Sequence, residues 1–329
     1  MHSLEPELRA LDDEGALDRG TIALAVARER HELVSVATLL RAMLYSGVLL
    51  VTAGLGVLLA RHLDRLGPLG IVAALAAVAV ACAAPALRAA RAGRRASEVA
   101  DYLLLLAVLV GAADLAYAES QFAMLGPAWP WHFVIVSAGA AIVAYACGSS
   151  RVLGVALAAL AAWFGLGDSA GGSALLDGLG SSGPTRAATP PAAIADFGGR
   201  ALACAAVILL WKRADQRLHR NGDFGPLFDH FIANVACWGA LYWCPPGRYP
   251  WAGLPLLAVF ALLSVRHGLA ARRESFVVYG IGYAALGLCF AMLPRIDDPR
   301  SASAVALLLV GIAAVLLWQV HRRIRGGDA

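Results

Sequence analysis

Charged residues are scarce in this chain: Asp, Glu, Lys and Arg make up 15% of its 329 residues, against about 25% in soluble globular domains. Apolar residues make up 60%, more than the core of a soluble protein of this length needs. A bilayer accounts for the excess, because each membrane-spanning helix uses about 20 apolar residues. The composition excludes a soluble enzyme, a secreted disulfide-stabilised module and a disordered chain. It predicts an all-α, polytopic integral membrane protein.

Lysine is nearly absent: of the 27 Lys and Arg residues, 26 are arginines and one is a lysine, Lys212. The formal net charge of +4 is compatible with nucleic-acid binding, but basic residues that flank membrane segments are its commoner cause. We therefore expect a lipid bilayer as the surroundings of the chain and no nucleic-acid partner.

Several enzyme and metal-site motifs are missing. The chain contains no C-x-x-C, no H-E-x-x-H and no phosphate-binding G-x-x-x-x-G-K-[ST]. The stretch 167–172 (GDSAGG) is superficially similar to the nucleophile segment of serine proteases, but it lies in a low-complexity loop of an all-helical chain. We expect no catalytic residue, no metal site and no cofactor, and hence a protein that is not an enzyme.

Two kinds of small residue are interpreted as packing residues. Gly280 and Gly282 lie in the middle of an apolar run and predict a notch for a neighbouring helix rather than a phosphate loop. Cysteine is a small, weakly polar side chain that fits between helices. All six cysteines lie in or at the end of apolar runs: Cys82, Cys147, Cys204, Cys237, Cys244 and Cys289.

The N-terminal segment, residues 1–41, is the one sizeable polar part of the chain. It carries 13 charged residues, and its pattern predicts two helices, Glu5–Glu14 and a second from Asp18 to Arg41. So few apolar positions cannot form an independent core. We expect a cytoplasmic helical hairpin that lies against the membrane or a protein partner.

About ten transmembrane helices are predicted after the hairpin. A flexible Gly-, Ser- and Pro-rich loop, 168–196, separates a first membrane half, 42–167, from a second, 197–321, and a basic cytoplasmic tail, 322–329, follows. The ten apolar runs are 42–60, 69–87, 100–118, 131–147, 152–167, 197–211, 226–243, 250–265, 276–293 and 302–320.

The basic residues orient these runs. With the N-terminus in the cytoplasm, the inner segments hold 18 basic residues and the outer loops hold six. Cytoplasmic loops of membrane proteins carry the excess of Arg and Lys. The sequence therefore predicts a multi-pass protein with both termini in the cytoplasm.

The first half of the chain resembles a known family. Its residues 8–25 (LRALDDEGALDRGTIALA) precede a long series of apolar runs, and a third run that starts 101–113 (DYLLLLAVLVGAA) ends at 118–122 (AESQF). A Trp-bearing loop and a fourth run that ends before Ser150 and Arg151 follow. Over about residues 5–165 this resembles the bacterial predicted membrane proteins of domain of unknown function 2157. The resemblance implies a bacterial inner-membrane protein and no particular activity.

Ionisable residues inside apolar runs are costly, so they are the first candidates for a functional site. In the third run Asp114, Tyr117 and Gln121 recur at helical spacing, and Glu119 lies at the outer end. His132 opens the fourth run at the same expected depth. These residues predict an acidic, aromatic-walled pocket that favours a cation or a proton-coupled solute. The alternative is an interfacial belt in which Asp114 bonds to a neighbouring helix.

A second candidate set lies at the inner start of the seventh run. Asp229 and His230 are followed one turn deeper by Asn234, which together predict an ion or proton path. The alternative is structural, because a carboxylate at a helix N-terminus caps exposed N–H groups.

Two functions of different classes remain open. The first is a non-enzymatic scaffold, sensor or assembly factor whose hairpin binds a partner. The second is a small-solute or cation transporter of the ten-helix type, in which two halves of five helices form inverted repeats. The polar N-terminal segment favours the first, and the five-plus-five arrangement favours the second.

Overall fold

A computed structural model describes residues 36–92, 97–166, 196–218, 224–245 and 250–326. Within these ranges the chain is helical and contains no strand. The predicted hairpin at 1–41 and the predicted loop at 168–196 lie almost entirely outside the described residues, so both stay predictions.

Nine helices and two short 3₁₀ turns, Gly126–Ala128 and Leu293–Arg295, form the described chain. Their order follows the apolar runs, so the all-helical class predicted from composition is confirmed. The helices are α1 (Val36–Arg91), α2 (Glu98–Phe122), α3 (Trp131–Cys147), α4 (Ser150–Trp163), α5 (Phe197–Arg217), α6 (Gly225–Tyr242), α7 (Pro250–Ala270), α8 (Glu274–Met292) and α9 (Pro299–Gly326).

The helix α1 consists of two helical segments that meet at Gly67. The backbone of Gly67 is non-helical, with φ 68° and ψ 156°, a conformation that glycine adopts without steric cost. Pro68 follows and cannot donate a backbone hydrogen bond. The predicted runs 42–60 and 69–87 lie on either side of this break.

Five helical segments are long and apolar enough to cross a membrane among the residues that are described. Two further helices, α3 and α4, are apolar but have only 17 and 14 residues. At 1.5 Å per residue, α3 reaches about 26 Å, slightly less than the hydrocarbon core of a bilayer. The candidate spans are Gly67–Arg91, Glu98–Phe122, Pro250–Ala270, Glu274–Arg295 and Pro299–Arg322. The ten-span count and the orientation stay predictions.

The chain divides into two compact units, Met1–Phe122 with Arg325–Ala329, and Ala123–Ile324. In the first unit α1 packs along α2, and Ile71 of α1 and Leu104 of α2 are buried. This division does not coincide with the predicted boundary at 168–196, across which α4 contacts both α5 and α6. The second unit therefore includes helices from both predicted halves.

Small residues bring the helices of the second unit together. A Cβ atom at Gly198 of α5 would lie 2.9 Å from the carbonyl oxygen of Gly239 on α6. A Cβ atom at Gly280 of α8 would lie 2.5 Å from the carbonyl oxygen of Ala261 on α7. Such distances are too short for a side chain, so these two crossings require glycine. The interpretation as a packing notch is confirmed for Gly280 but not for Gly282, where a Cβ atom would meet no heavy atom within 4 Å.

The core of the second unit lies between α6, α7 and α8. Its buried members are Cys237, Ala240, Leu241, Cys244, Leu257 and Phe290. All six cysteines are free thiols, and Cys204, Cys237 and Cys244 are buried. For these three, the expectation that cysteine acts as a small packing residue is confirmed.

Candidate functional site

The helix α6 carries the three residues of the predicted inner site. It begins at Gly225, with Pro226 in its first turn, where the missing N–H of proline costs nothing. The N-cap position belongs to Phe224 and no side chain caps the helix. Asp229 lies in the second turn, and the alternative interpretation of this carboxylate as the N-terminal cap is therefore wrong.

The carboxylate of Asp229 pairs with the chain's one lysine. Lys212 of α5 donates a hydrogen bond from Nζ to Oδ1 of Asp229. Both side chains are largely shielded, with 17% and 22% of their surfaces exposed. A shielded pair of this kind keeps two opposite charges at the α5–α6 contact, where either charge alone is strongly unfavourable.

A histidine of α7 approaches the same carboxylate from the other side. Nε2 of His267 lies 3.7 Å from Oδ2 of Asp229. This distance exceeds that of a hydrogen bond, but it suits an ion pair when the imidazole is protonated. The carboxylate of Asp229 thus approaches a lysine of α5 through one oxygen and a histidine of α7 through the other.

Aromatic rings of α8 fix both histidines of the cluster. Phe276 stacks on His230, with ring centroids 4.6 Å apart, and meets the ring of His267 edge-on at 4.8 Å. Tyr279 contacts His230 edge-on at 5.7 Å. Phe276 is buried, so one apolar side chain positions two imidazoles on neighbouring helices.

Asn234 connects α6 to α8 one turn deeper. Its Nδ2 donates to the carbonyl oxygen of His230 at 2.8 Å, and its Oδ1 accepts from the hydroxyl of Tyr283 at 3.0 Å. Both ends of the amide are therefore satisfied. Nδ1 of His230 is buried and has no hydrogen-bond partner among the described residues.

The structure brings all three predicted inner residues into one cluster and adds three that sequence reasoning missed. The polar cluster consists of Lys212, Asp229, His230, Asn234, His267 and Tyr283. Lys212 carried a usable signal, since it is the one lysine of the chain and ends an apolar run. His267 and Tyr283 carried none, because their relation to Asp229 depends on how three helices pack.

The charges of the polar cluster suit a proton better than a metal cation. A cation bound to Asp229 would have to displace Nζ of Lys212, whereas a proton on His267 would add to the existing pair. Within the described ranges, no group of three His, Cys, Asp or Glu side chains could hold a metal ion. The polar cluster can therefore gain or lose a proton without binding or releasing a metal cation.

The predicted outer pocket is divided between the two compact units. Asp114, Tyr117, Glu119 and Gln121 belong to α2 in the first unit, and His132 belongs to α3 in the second. That these two groups of residues form one pocket stays a prediction.

Asp114 and Tyr117 of α2 each have a buried polar atom that is unsatisfied. Oδ1 of Asp114 and the hydroxyl of Tyr117 have no hydrogen-bond partner among the described residues. They lie three residues apart and therefore on one face of the helix. In the alternative interpretation Asp114 forms a hydrogen bond to a neighbouring helix. Its Oδ1 forms no such bond among the described residues.

His132 is held locally at the start of α3. Its Nδ1 donates to the carbonyl oxygen of Trp129 at 2.6 Å, and the two rings stack with centroids 5.2 Å apart. The carbonyl can only accept, so Nδ1 carries the proton. This contact fixes the buried imidazole against the 3₁₀ turn Gly126–Ala128.

The sequence was compared with known families, curated proteins and solved structures. Residues 9–167, just under half of the chain, match the family described as "Predicted membrane protein (DUF2157)". No curated protein and no solved structure matches. The match contains Asp114 and His132 and ends before the polar cluster, whose residues lie between 212 and 283. Over residues 9–167, the chain is similar to the DUF2157 family of predicted membrane proteins.

Proposed function

We propose that the protein is a non-enzymatic sensor of the bacterial inner membrane, in which protonation of the polar cluster sets the packing of α6 against α7. The observation that carries this proposal is the position of Asp229 between Lys212 and His267. In this scheme the N-terminal segment 1–41 passes the change to a protein partner in the cytoplasm.

The physical basis is the charge balance around Asp229. With His267 neutral, Lys212 and Asp229 balance, and the α6–α7 contact has no ionic component. Histidine is the side chain that changes charge between about pH 5 and pH 8. A proton on His267 adds a second cation 3.7 Å from the carboxylate and strengthens the α6–α7 contact.

Hydrogen–deuterium exchange of the full-length protein in lipid nanodiscs tests the proposal. After correction for the pH dependence of the intrinsic exchange rate, we expect peptides of α6 and α7 to be more protected at about pH 5.5 than at about pH 8, because the added ion pair holds the helices together. His267→Gln keeps a polar side chain but removes the titration, and it should abolish the difference. His132→Gln, a matched change on α3, should retain it. An unchanged pH response in His267→Gln would reject the sensor mechanism.

The scaffold part of the proposal has a separate test. Deletion of residues 1–38 should leave membrane insertion intact, because α6, α7 and α8 have their own packed core. The biological phenotype should be lost, since the partner-binding segment is gone. Full activity after the deletion would reject a role for this segment and favour transport.

A small-solute or cation transporter is the second candidate. The observation that favours it is the unsatisfied carboxylate oxygen of Asp114 beside the unsatisfied hydroxyl of Tyr117, since intramembrane acids without a partner mark ion and proton pathways. Proton flux into liposomes that contain the purified protein distinguishes the two candidates. Flux that depends on Asp114 would favour transport.

A further inference from the structure

An apolar crevice runs between α8 and α9, with α7 at its side. Its deeper part is a cavity of about 330 Å³, lined by all three helices, including Ala261, Gly280, Ala284 and Ala313. A second cavity of about 280 Å³ continues along α8 and α9 to their common end at Glu274 and His321. Each volume is close to the lower limit of small-ligand sites, about 300–1,000 Å³.

The deeper cavity contains only Ala, Gly, Val, Ile and Leu side chains. It has no polar side chain to orient a polar solute, which excludes sugars, nucleotides and amino acids as occupants. An apolar chain fills such a space through dispersion contacts, and these are lost where the lining faces a void. The alanines at 284 and 313 are small, which keeps the crevice between α8 and α9 wide.

The open end of the crevice is basic and amphipathic. The guanidinium of Arg322 lies 4.1 Å from the ring centroid of Trp318, which itself lines the crevice. Arg272 and Arg273 are exposed in the turn that precedes α8. The one acid at this end, Glu274, pairs with His321 at 3.1 Å. Arg322 thus lies at the end of an apolar channel, and Arg272 and Arg273 precede the lining residue Glu274 in the chain.

We propose that this crevice binds one anionic phospholipid, with an acyl chain between α8 and α9 and the phosphate at Arg322. Charge complementarity selects this occupant, because the apolar cavity takes the chain and the basic end takes the phosphate. Tryptophan and arginine are the residues found at the level of lipid headgroups. The bilayer supplies the ligand directly. The two cavities share no lining residue with the polar cluster.

The low burial of α9 supports a lipid rather than protein neighbour on this side. No residue in the membrane-spanning window of α9 is buried within the chain. The helix nevertheless lines both cavities together with α8. A lipid in the crevice would supply the contacts between α8 and α9 that the protein itself lacks.

Native mass spectrometry of the full chain, with phosphatidylglycerol and phosphatidylcholine of the same acyl chains, tests this site. Ala313→Phe fills the cavity and should lower bound phosphatidylglycerol about fivefold through lost acyl-chain contacts. Ala314→Phe places the same ring on an exposed neighbour that does not line the cavity and should leave binding unchanged. Equal binding by the two variants would overturn the proposal.

The headgroup is tested separately, with a second variant pair. Arg322→Gln should lower the preference for phosphatidylglycerol over phosphatidylcholine about fivefold, as expected for one basic residue at a lipid surface. Arg300→Gln, at the opposite end of α9, should not. Inorganic phosphate at millimolar concentration should fail to displace the lipid. If Ala313→Phe changes the oligomeric mass and leaves the bound lipid unchanged, the crevice holds a second copy of the chain and the proposal is wrong.

Discussion

Trp243 and Asp196 join the end of α6 to the start of α5. The indole Nε1 of Trp243 donates to Oδ2 of Asp196, while Oδ1 of the same carboxylate caps α5 by accepting from the N–H of Gly199 at 2.7 Å. Gly198 lies beneath the indole, where a Cβ atom would come within 2.5 Å of Nε1. One carboxylate therefore serves as a helix cap and as an interhelical acceptor.

Asp196→Ala should lower the free energy of unfolding by about 2 kcal/mol, because it removes a cap and leaves an indole N–H without its acceptor. Trp243→Phe removes the N–H alone and should cost about 1 kcal/mol. Thermal unfolding in detergent measures both, and the double variant should cost less than the sum. Full additivity would show that the two residues act independently.

Breaking the pair between Lys212 and Asp229 should destabilise the second unit. Either Lys212→Met or Asp229→Asn leaves one shielded charge without its counterion and should cost about 2 kcal/mol. The double variant carries neither charge and should recover at least half of that loss. Denaturant unfolding of the four proteins provides the measurement. Two single variants as stable as the parent would mean that water already solvates both charges.

Asp298 should make the start of α9 sensitive to acid. Hydrogen bonds from the hydroxyl of Ser301 at 2.7 Å and from the backbone N–H groups of Ser301 and Arg300, at 2.9 and 3.3 Å, hold the pKa of this carboxyl below its ordinary value of 3.8. The charged form is thus favoured in the folded state. Its stabilising contribution is present above pH 3.8 and is lost as the pH falls through the lowered pKa.

Amide exchange at residues 299–303, followed between about pH 5 and pH 2, measures this change after correction for the intrinsic rate. Protection should fall with the titration of the carboxyl. Asp298→Asn should exchange faster and show no such step, whereas Asp297→Asn, at the neighbouring position, should behave like the parent. A step that persists in Asp298→Asn would assign it to another group.

Asp114→Asn separates a functional from a structural role of the outer residues. The change keeps the size of the side chain and removes its ionisable group. We expect the folded yield to be unchanged, because Oδ1 makes no hydrogen bond among the described residues. If the pocket takes a cation or a proton-coupled solute, a pH-dependent phenotype should disappear. A normal phenotype at every pH would show that the acid is not used.

The orientation of the spans is testable with reporter fusions. Fusions after Arg95, Arg220 and Arg273 should report a cytoplasmic position, because basic residues concentrate in these segments. Fusions within 119–130 and 168–196 should report the external side. An external signal after Arg220 would reject the ten-span arrangement.

The helices were predictable from sequence because burial in lipid needs only a continuous apolar run, and each run here coincides with one helical segment. The break at Gly67 was predictable for the same reason, since charged residues at 61–65 and a Gly-Pro pair separate two runs. The packing role of Gly280 followed from its position within a run.

The polar cluster was only partly predictable. Asp229, His230 and Asn234 are visible as polar residues at the start of an apolar run. Their partners, Lys212, His267 and Tyr283, are 17, 38 and 49 residues from the groups they meet, and no sequence periodicity encodes such contacts. A carboxylate near a helix N-terminus can serve either as a cap or as an ion-pair partner. The sequence alone therefore could not decide between these two roles for Asp229.

The sparse packing of α9 has a consequence for the order of synthesis. The core residues between α6, α7 and α8, from Cys237 to Phe290, are all synthesised before α9, which begins at Pro299. Because the membrane-spanning window of α9 contributes nothing buried, the assembly of this core does not wait for α9.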